Sequence, residues 1–245
     1  MENRNFQLDT EWNMIHYPHR PNGFGILIIG DERNFVTDTN SFWNQNEGKR
    51  TLIESLLDNG YTIFYSNLYG KNWGSEKALQ MAKRLYEHII RTEILNHRIH
   101  IIAEGMGALT AIRLMMEMKD NIRSVVLLNP ILSLKEHLER EKEHKFFIKK
   151  LTNEISIAFN TNKHELMELL KDKKEYQLEE TDTPTKIIQI LHNGRSYYQS
   201  HALKKASAIW EEKSLPIFVS YVLPEKRSAM PKQIASFFRK YEKKL

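Results

Sequence analysis

The 245-residue sequence contains no cysteine. Disulfide bonds, a thiol nucleophile and thiolate metal ligands are therefore excluded within this chain. The absence of cysteine is also compatible with the reducing cytosol. The first ten residues, MENRNFQLDT, lack the apolar segment of a secretory signal peptide, so we expect a cytoplasmic protein.

Long apolar runs are missing as well. No stretch approaches the roughly 20 consecutive apolar residues that a membrane-spanning helix needs. Hydrophobic residues still make up 41% of the chain and charged residues 27%, which is the balance of a soluble globular domain. We therefore predict one soluble domain without a membrane span.

Neither sign of charge dominates. The chain has 36 lysines and arginines against 31 aspartates and glutamates, a net charge of +5, and the acids are interleaved with the bases. A nucleic-acid-binding domain more usually carries a one-sided basic stripe. We therefore expect no nucleic-acid partner.

The sequence does contain a regular alternation of apolar, strand-like segments with amphipathic, helix-like segments. Two short strands are predicted within 6–17, and a helix is predicted around 202–211. Apolar or β-branched runs predict further strands at 25–30, 61–65, 99–103, 125–128, 187–191 and 217–222. Because strands that alternate with helices form parallel sheets, the predicted fold class is α/β, with a mostly parallel central sheet flanked by helices.

Residues from about 132 to 174 differ from the rest of the chain. They are highly charged, show no strand pattern and predict two or three helices. We interpret them as a helical cap inserted between two strands of a single domain that covers 1–245. Within the cap, Phe146, Phe147 and Ile148 form an apolar patch that we expect to contact the main domain.

The most informative stretch is the strand–turn–helix segment at 99–109. A β-branched strand leads into Ala103-Glu104-Gly105-Met106-Gly107, and an amphipathic helix follows directly. Small residues at both ends of this turn are typical of the nucleophile elbow, G-x-S-x-G. The chain here resembles the α/β-hydrolase family of esterases, lipases and thioesterases, and the resemblance extends over almost all of its elements.

The resemblance implies a catalytic triad, and its positions in this sequence are degenerate. Gly105 stands where the family has its serine nucleophile. The acid is expected just after the seventh strand, which places Ser196 there, and the histidine is expected after the eighth strand, which places Ser228 there. Glycine has no side chain that could attack a substrate, and we predict that all three triad positions have lost their chemistry.

The resemblance also implies an oxyanion hole built from backbone N–H groups. One donor would be Met106, and the other would come from the loop after the third strand, which begins with Gly30 and Asp31. Asp31 and the following Glu32 would oppose a developing negative charge. This former oxyanion region therefore also argues against ester hydrolysis.

Other residues near the predicted edge of the sheet are candidates for a binding pocket, namely Glu104, His192 and Tyr197. Glu104 precedes the central position of the elbow, so we expect it to pair with a base more readily than to act as a nucleophile. His16 and His19 flank Pro18 in a predicted surface turn. No H-x-x-x-H or H-E-x-x-H pattern occurs, so we expect neither a metal ion nor another cofactor.

These observations lead to one preferred hypothesis and two alternatives. The preferred hypothesis is an α/β-hydrolase-fold pseudoenzyme that binds a small acyl-type ligand or a protein partner at the former active-site cleft. The first alternative is an active carboxylic-ester or thioester hydrolase with a relocated catalytic set. The second is a structural or assembly protein that uses the cap as its interface.

Overall fold

The fold is described by a computed structural model of the chain. It describes residues 2–142, 145–162, 164–166, 168, 178–191 and 195–242, and for residues 195–202 it describes the backbone only.

The described residues form one sheet of eight strands in the order β1-β2-β4-β3-β5-β6-β7-β8. The first two strands are antiparallel to each other, β2 is antiparallel to β4, and every other neighbouring pair is parallel. The mostly parallel sheet predicted from the sequence is confirmed. The strands are β1 Glu2–Leu8, β2 Glu11–Tyr17, β3 Gly25–Ile29, β4 Thr62–Ser66, β5 Ile99–Glu104, β6 Ile122–Leu128, β7 Thr185–Ile190 and β8 Ile217–Val222.

Helices cover both faces of this sheet. On one face α3, α4 and α7 bury a large apolar cluster, and on the other face α2 and α8 bury a second. The central strands are apolar on both sides because each side faces a layer of helices. The helices are α1 Phe42–Gln45, α2 Glu47–Asp58, α3 Glu76–Thr92, α4 Gly107–Glu117, α5 Leu134–Glu141, α6 Lys145–Ala158, α7 Arg195–Glu212 and α8 Met230–Arg239. No helix in the described part of the chain is long and apolar enough to cross a membrane.

The described part of the segment between β6 and β7 includes two helices. It contains α5 and α6, and Ser133 caps the first of these by accepting a hydrogen bond from the backbone N–H of Glu136. The predicted cap boundary near 174 lies outside the described residues. The extent of the cap as a separate unit therefore stays a prediction.

Two details of the sequence interpretation are wrong. His16 is fully buried in β2 and does not lie in a surface turn, because β2 continues to Tyr17 and pairs His16 with Ile63 of β4. Ser196 and Tyr197 lie in a helix and not in a loop, because α7 begins at Arg195, about seven residues before the start predicted from the apolar pattern.

Candidate active site at the strand–helix elbow

The elbow is a tight turn between β5 and α4. Gly105 has φ +52°, a left-handed conformation that glycine adopts without the steric cost that other residues bear. Its N–H donates to the carbonyl of Leu128 at 3.0 Å, and its own carbonyl accepts from the N–H of Ile131 at 2.9 Å. The turn is therefore fixed to the end of β6 and to the loop that follows it.

Helix α4 begins so close to the sheet that its first residue has to be glycine. A Cβ on Gly107 would lie 2.5 Å from the carbonyl oxygen of Ile29 and 2.7 Å from that of Gly30. Contacts this short do not occur for real Cβ atoms, so a larger residue would push the helix away from β3. This contact explains the small residue at the end of the elbow pattern.

The carboxylate of Asp31 occupies the space above Gly105. A Cβ built on Gly105 would overlap the Asp31 carboxyl group, and Asp31 Oδ1 accepts a hydrogen bond from the backbone N–H of Met106 at 3.0 Å. The sequence analysis predicted that Asp31 and Met106 belong to an oxyanion region. The structure brings the two residues together. The Met106 N–H, which would serve as the oxyanion donor, is bound to the Asp31 carboxylate.

Asp31 is held in this position by a short turn after β3. The N–H of Asn34 donates to the carbonyl of Asp31 at 2.8 Å, and Asn34 Nδ2 donates to the carbonyl of Ser66 at 3.0 Å. Asn34 Oδ1 accepts from the indole nitrogen of the buried Trp43 at 3.1 Å. A Cβ on Gly30 would clash with the Asn34 side chain, so this turn also depends on glycine.

Glu104 forms an ion pair with a lysine. Its Oε1 lies 2.5 Å from Nζ of Lys49 on α2, and both side chains are mostly buried. The Lys49 ammonium also lies 5.0 Å from the ring centroid of Trp43, a favourable cation–π distance. A carboxylate held in this way attaches α2 to the end of β5.

The helices after β6 pack over the elbow. Met106 is completely buried in a small apolar cluster with residues of α5 and α6, among them Leu134, Leu138, Leu151 and Ile155. In this arrangement the turn is covered by apolar side chains. The Met106 side chain is therefore covered and has no open space directly above it.

A charged bridge joins the same helices to the loops at this edge of the sheet. Lys71, in the loop after β4, lies 2.5 Å from Glu154 of α6 and 3.8 Å from Glu32, the residue after Asp31. The hydrogen bond to Glu154 raises the pKa of Lys71 above its usual value. The bridge ties the cap segment to the loop that carries Asp31.

Sequence reasoning overlooked the pairing of Trp73 with His137. Trp73 adopts a positive φ of +46° in the loop before α3, is buried in the cluster over the elbow, and stacks on His137 of α5 at 5.6 Å between ring centroids. The two residues are 64 positions apart, and no local pattern connects them. Their contact depends on how α5 docks on the sheet.

The remaining predicted site residues are not brought to the elbow by any described contact. Ser228 is exposed in a short 3-10 helix, Pro224–Ala229, between β8 and α8. Ser196 and Tyr197 lie in the first turn of α7, where only the backbone is described, and His192 lies outside the described residues. Their proposed roles therefore stay predictions.

The apolar patch of the cap is oriented differently from what we expected. Phe146 and Phe147 are exposed on α6, with 78% and 47% of their surfaces accessible, while Ile148 packs against the cluster over the elbow. Adjacent residues on a helix point about 100° apart, so one of the three can face the domain while its neighbours face outward.

Within the described ranges, no group of three or more histidine, aspartate or glutamate side chains could hold a metal ion.

Comparison with known proteins identifies the fold. No protein-family model matches the chain, and no curated protein matches its sequence. Among solved structures, Est1E from Butyrivibrio proteoclasticus is similar at 12% identity with a TM-score of 0.64, and the match covers 98% of both chains. The S-formylglutathione hydrolase FrmB from Staphylococcus aureus is similar at 12% identity with a TM-score of 0.57, over 98% of this chain and 97% of that one.

A larger protein shares the same architecture. A puromycin-hydrolyzing peptidase of Mycobacterium tuberculosis is similar at 13% identity with a TM-score of 0.74, and the match covers 98% of this chain but only 39% of the peptidase. The protein therefore has the α/β-hydrolase fold. At identities this low the similarity establishes the fold alone, and the chemistry must be argued from the residues at the elbow.

Proposed function

We propose that this protein does not carry out Ser-His-Asp hydrolysis and instead binds a small ligand or a protein partner at the former active-site cleft. The observation that carries this proposal is the position of Asp31. Its carboxylate fills the space that a nucleophile side chain on residue 105 would need, and it accepts the hydrogen bond of the Met106 N–H.

This arrangement opposes acyl transfer for two physical reasons. Glycine offers no hydroxyl at the centre of the elbow, so no covalent intermediate can form on that residue. In addition, an oxyanion that developed beside the Met106 N–H would have to displace a carboxylate or lie next to it, and like charges at such distances repel each other. Residue 105 therefore offers no nucleophile, and the Met106 N–H is already bound to a carboxylate.

The alternative function is an active ester or thioester hydrolase with a relocated catalytic set. One observation favours it: the Asp31 carboxylate lies where a nucleophile is expected, at the end of β3 and not on the elbow itself. Carboxylates do serve as nucleophiles in some enzymes. Asp31→Asn tests this alternative directly, since the amide keeps the shape of the side chain and removes its nucleophilicity.

The deciding experiment measures turnover of p-nitrophenyl acetate, p-nitrophenyl butyrate and short acyl-CoA substrates, together with labelling by a fluorophosphonate probe. We expect no turnover and no labelling for the wild type or for Gly105→Ser. Gly23→Ser is the matched control, because Gly23 also has a positive φ of +81° and a Cβ there meets nothing within 4 Å. Robust turnover that is lost in Asp31→Asn would establish the alternative, and an esterase created by Gly105→Ser alone would show that a histidine base is present after all.

A further inference from the structure

The sheet ends in two edge strands, β1 and β8, and their sequences differ in charge. On β1, Glu2 and Arg4 are charged and exposed. Charged side chains on an edge strand keep other strands from pairing with it. Between Lys213 and Glu225, by contrast, the chain carries no charged residue, and this interval contains all of β8. Strand β8 therefore has none of the charges that protect the β1 edge.

The backbone of β8 faces outward at every second residue. Strand β8 pairs with β7 on one side and is the last strand of the sheet that the described residues form. The carbonyls of Pro216 and Val222 accept from the N–H groups of Thr185 and Leu191, at 2.8 and 2.9 Å. Because hydrogen bonds to one neighbour come from alternate residues of a strand, Val219 directs its N–H and C=O to the other side. The edge thus offers a main-chain donor and a main-chain acceptor to a further strand.

Large apolar side chains are exposed along the same edge. Phe218 and Tyr221 of β8 are 49% and 42% accessible, and Leu223, directly after the strand, is 50% accessible. Ile209, on the helix α7 that packs against β8, is exposed as well. Single exposed apolar residues are ordinary on a protein surface, whereas several beside one edge strand mark an interaction surface. A strand added to β8 would cover part of this surface.

The sequence of β8 is complementary to itself. Two copies of β8 can pair antiparallel about a two-fold axis at Ser220. Phe218 of one copy then lies opposite Val222 of the other, and Val219 lies opposite Tyr221. Each pair joins an aromatic residue with a β-branched one, which is a favourable cross-strand combination. An axis at Val219 would instead place Phe218 opposite Ser220 and lose one such pair.

We propose that this protein forms a homodimer in which β8 of two copies pairs antiparallel about Ser220 and joins the two sheets into one. A second copy fits better than a strand of another protein, because β8 carries no charge that would select a foreign strand and pairs favourably with itself. The inference goes beyond the proposed function and does not depend on it. It concerns the edge of the sheet, so it holds whether or not the elbow hydrolyses esters.

Sedimentation velocity of the full chain over a dilution series tests the dimer. We expect the wild type to sediment as a dimer that dissociates on dilution. Ser220→Lys should weaken dimerisation by about tenfold or more, because two like charges then face each other at the centre of the interface. Gln7→Lys, at an exposed position of β1, is the matched control and should leave dimerisation unchanged. A monomeric wild type at every concentration, or wild-type dimerisation in Ser220→Lys, would overturn the proposal.

A mixing experiment separates charge repulsion from misfolding. Ser220→Glu should weaken self-association as Ser220→Lys does. An equimolar mixture of the two variants should dimerise again, because opposite charges then meet across the axis. One variant is ¹⁵N-labelled so that native mass spectrometry identifies the heterodimer. A mixture that stays monomeric would show that residue 220 does not face itself.

The absence of cysteine makes the register directly testable. Residue 220 would form a non-hydrogen-bonded pair with its copy, at a Cα–Cα distance of about 4.5 Å, which a disulfide can span. Ser220→Cys should therefore give a disulfide-linked dimer on air oxidation, detected on a non-reducing gel, while Gln7→Cys stays monomeric. Equal cross-linking of the two variants, or none in Ser220→Cys, would contradict the pairing about Ser220. These outcomes concern assembly alone, since the esterase and labelling assays test the proposed function separately.

Discussion

The elbow differs from the region of β7 and α7 in how its buried N–H donors are satisfied. At the elbow, the Met106 N–H is bound to Asp31, a residue 75 positions earlier in the chain. On β7 and α7, the side-chain nitrogens of Gln189 and Trp210 have no acceptor among the described residues. One region provides its own acceptor, and the other leaves two buried donors without one.

This difference concerns the free energy of the fold. A carbonyl oxygen that entered the elbow would compete with a charge-assisted hydrogen bond within the protein. The nitrogens of Gln189 and Trp210 are buried without an acceptor among the described residues, which costs free energy. The elbow is therefore the better satisfied of the two regions.

The largest expected effect concerns the overlap between a side chain on residue 105 and the carboxylate of Asp31. We expect Gly105→Ala to lower the free energy of unfolding by roughly 2–5 kcal/mol, the sum of a left-handed conformation and a clash with Asp31. Gly23→Ala should cost only about 1–2 kcal/mol, because it has the same backbone strain and open space around the new methyl group. Urea unfolding of the two variants measures the difference.

Asp31→Ala shows whether the extra cost comes from the carboxylate. Combined with Gly105→Ala, it should recover roughly 1–3 kcal/mol relative to the sum of the single changes, because the overlapping group has been removed. Strict additivity of the two changes would mean that Asp31 does not occupy the space above residue 105.

A second prediction concerns His16, which has one buried nitrogen without a partner, and the pH dependence of stability. Nε2 of His16 lies 2.8 Å from the hydroxyl of Tyr65, while its Nδ1 has no partner among the described residues. Burial lowers the pKa of His16 to about 4. The unfolded chain therefore takes up this proton first as the pH falls, and the free energy of unfolding should decrease by about 3 kcal/mol between pH 6.5 and pH 4.

Denaturant unfolding of the wild type and of His16→Gln across this pH range isolates the contribution. Burial also lowers the pKa of His100. Both proteins therefore share a second source of acid sensitivity, and only the difference between them is informative. We expect the variant to lose less stability on acidification. Parallel curves for the two proteins would contradict a neutral, structural His16.

The sequence predicted most of the fold because the fold depends on local pattern. Strands buried on both faces are continuous apolar runs, and the predicted strand at 99–103 differs from β5 by a single residue. His16 was misplaced because it lies two residues before Pro18, which favours a turn, whereas its burial depends on pairing with β4, about 50 residues away. Pairing between distant strands is not visible in local composition.

The candidate site was predictable only in part, for the same reason. Gly105 could be located because a strand, small residues and a helix follow one another directly. The position of the Asp31 carboxylate could not be predicted, since it depends on the turn held by Asn34 and on contacts with residues far along the chain. No sequence pattern marks Gln189 or Trp210. That their side-chain nitrogens lack hydrogen-bond partners among the described residues becomes apparent only once β7 and α7 are packed.

The smallest expected effect tests the other half of the comparison, and it is read without any ligand. Gln189→Leu removes a buried donor that has no acceptor and keeps a similar volume, so we expect the free energy of unfolding to stay the same or to rise by up to about 1 kcal/mol. Gln80→Leu, on the exposed face of α3, should change it by no more than about 0.5 kcal/mol. Loss of more than about 1 kcal/mol in Gln189→Leu would mean that the amide is already satisfied in the free protein. The contrast between the two regions would then fail.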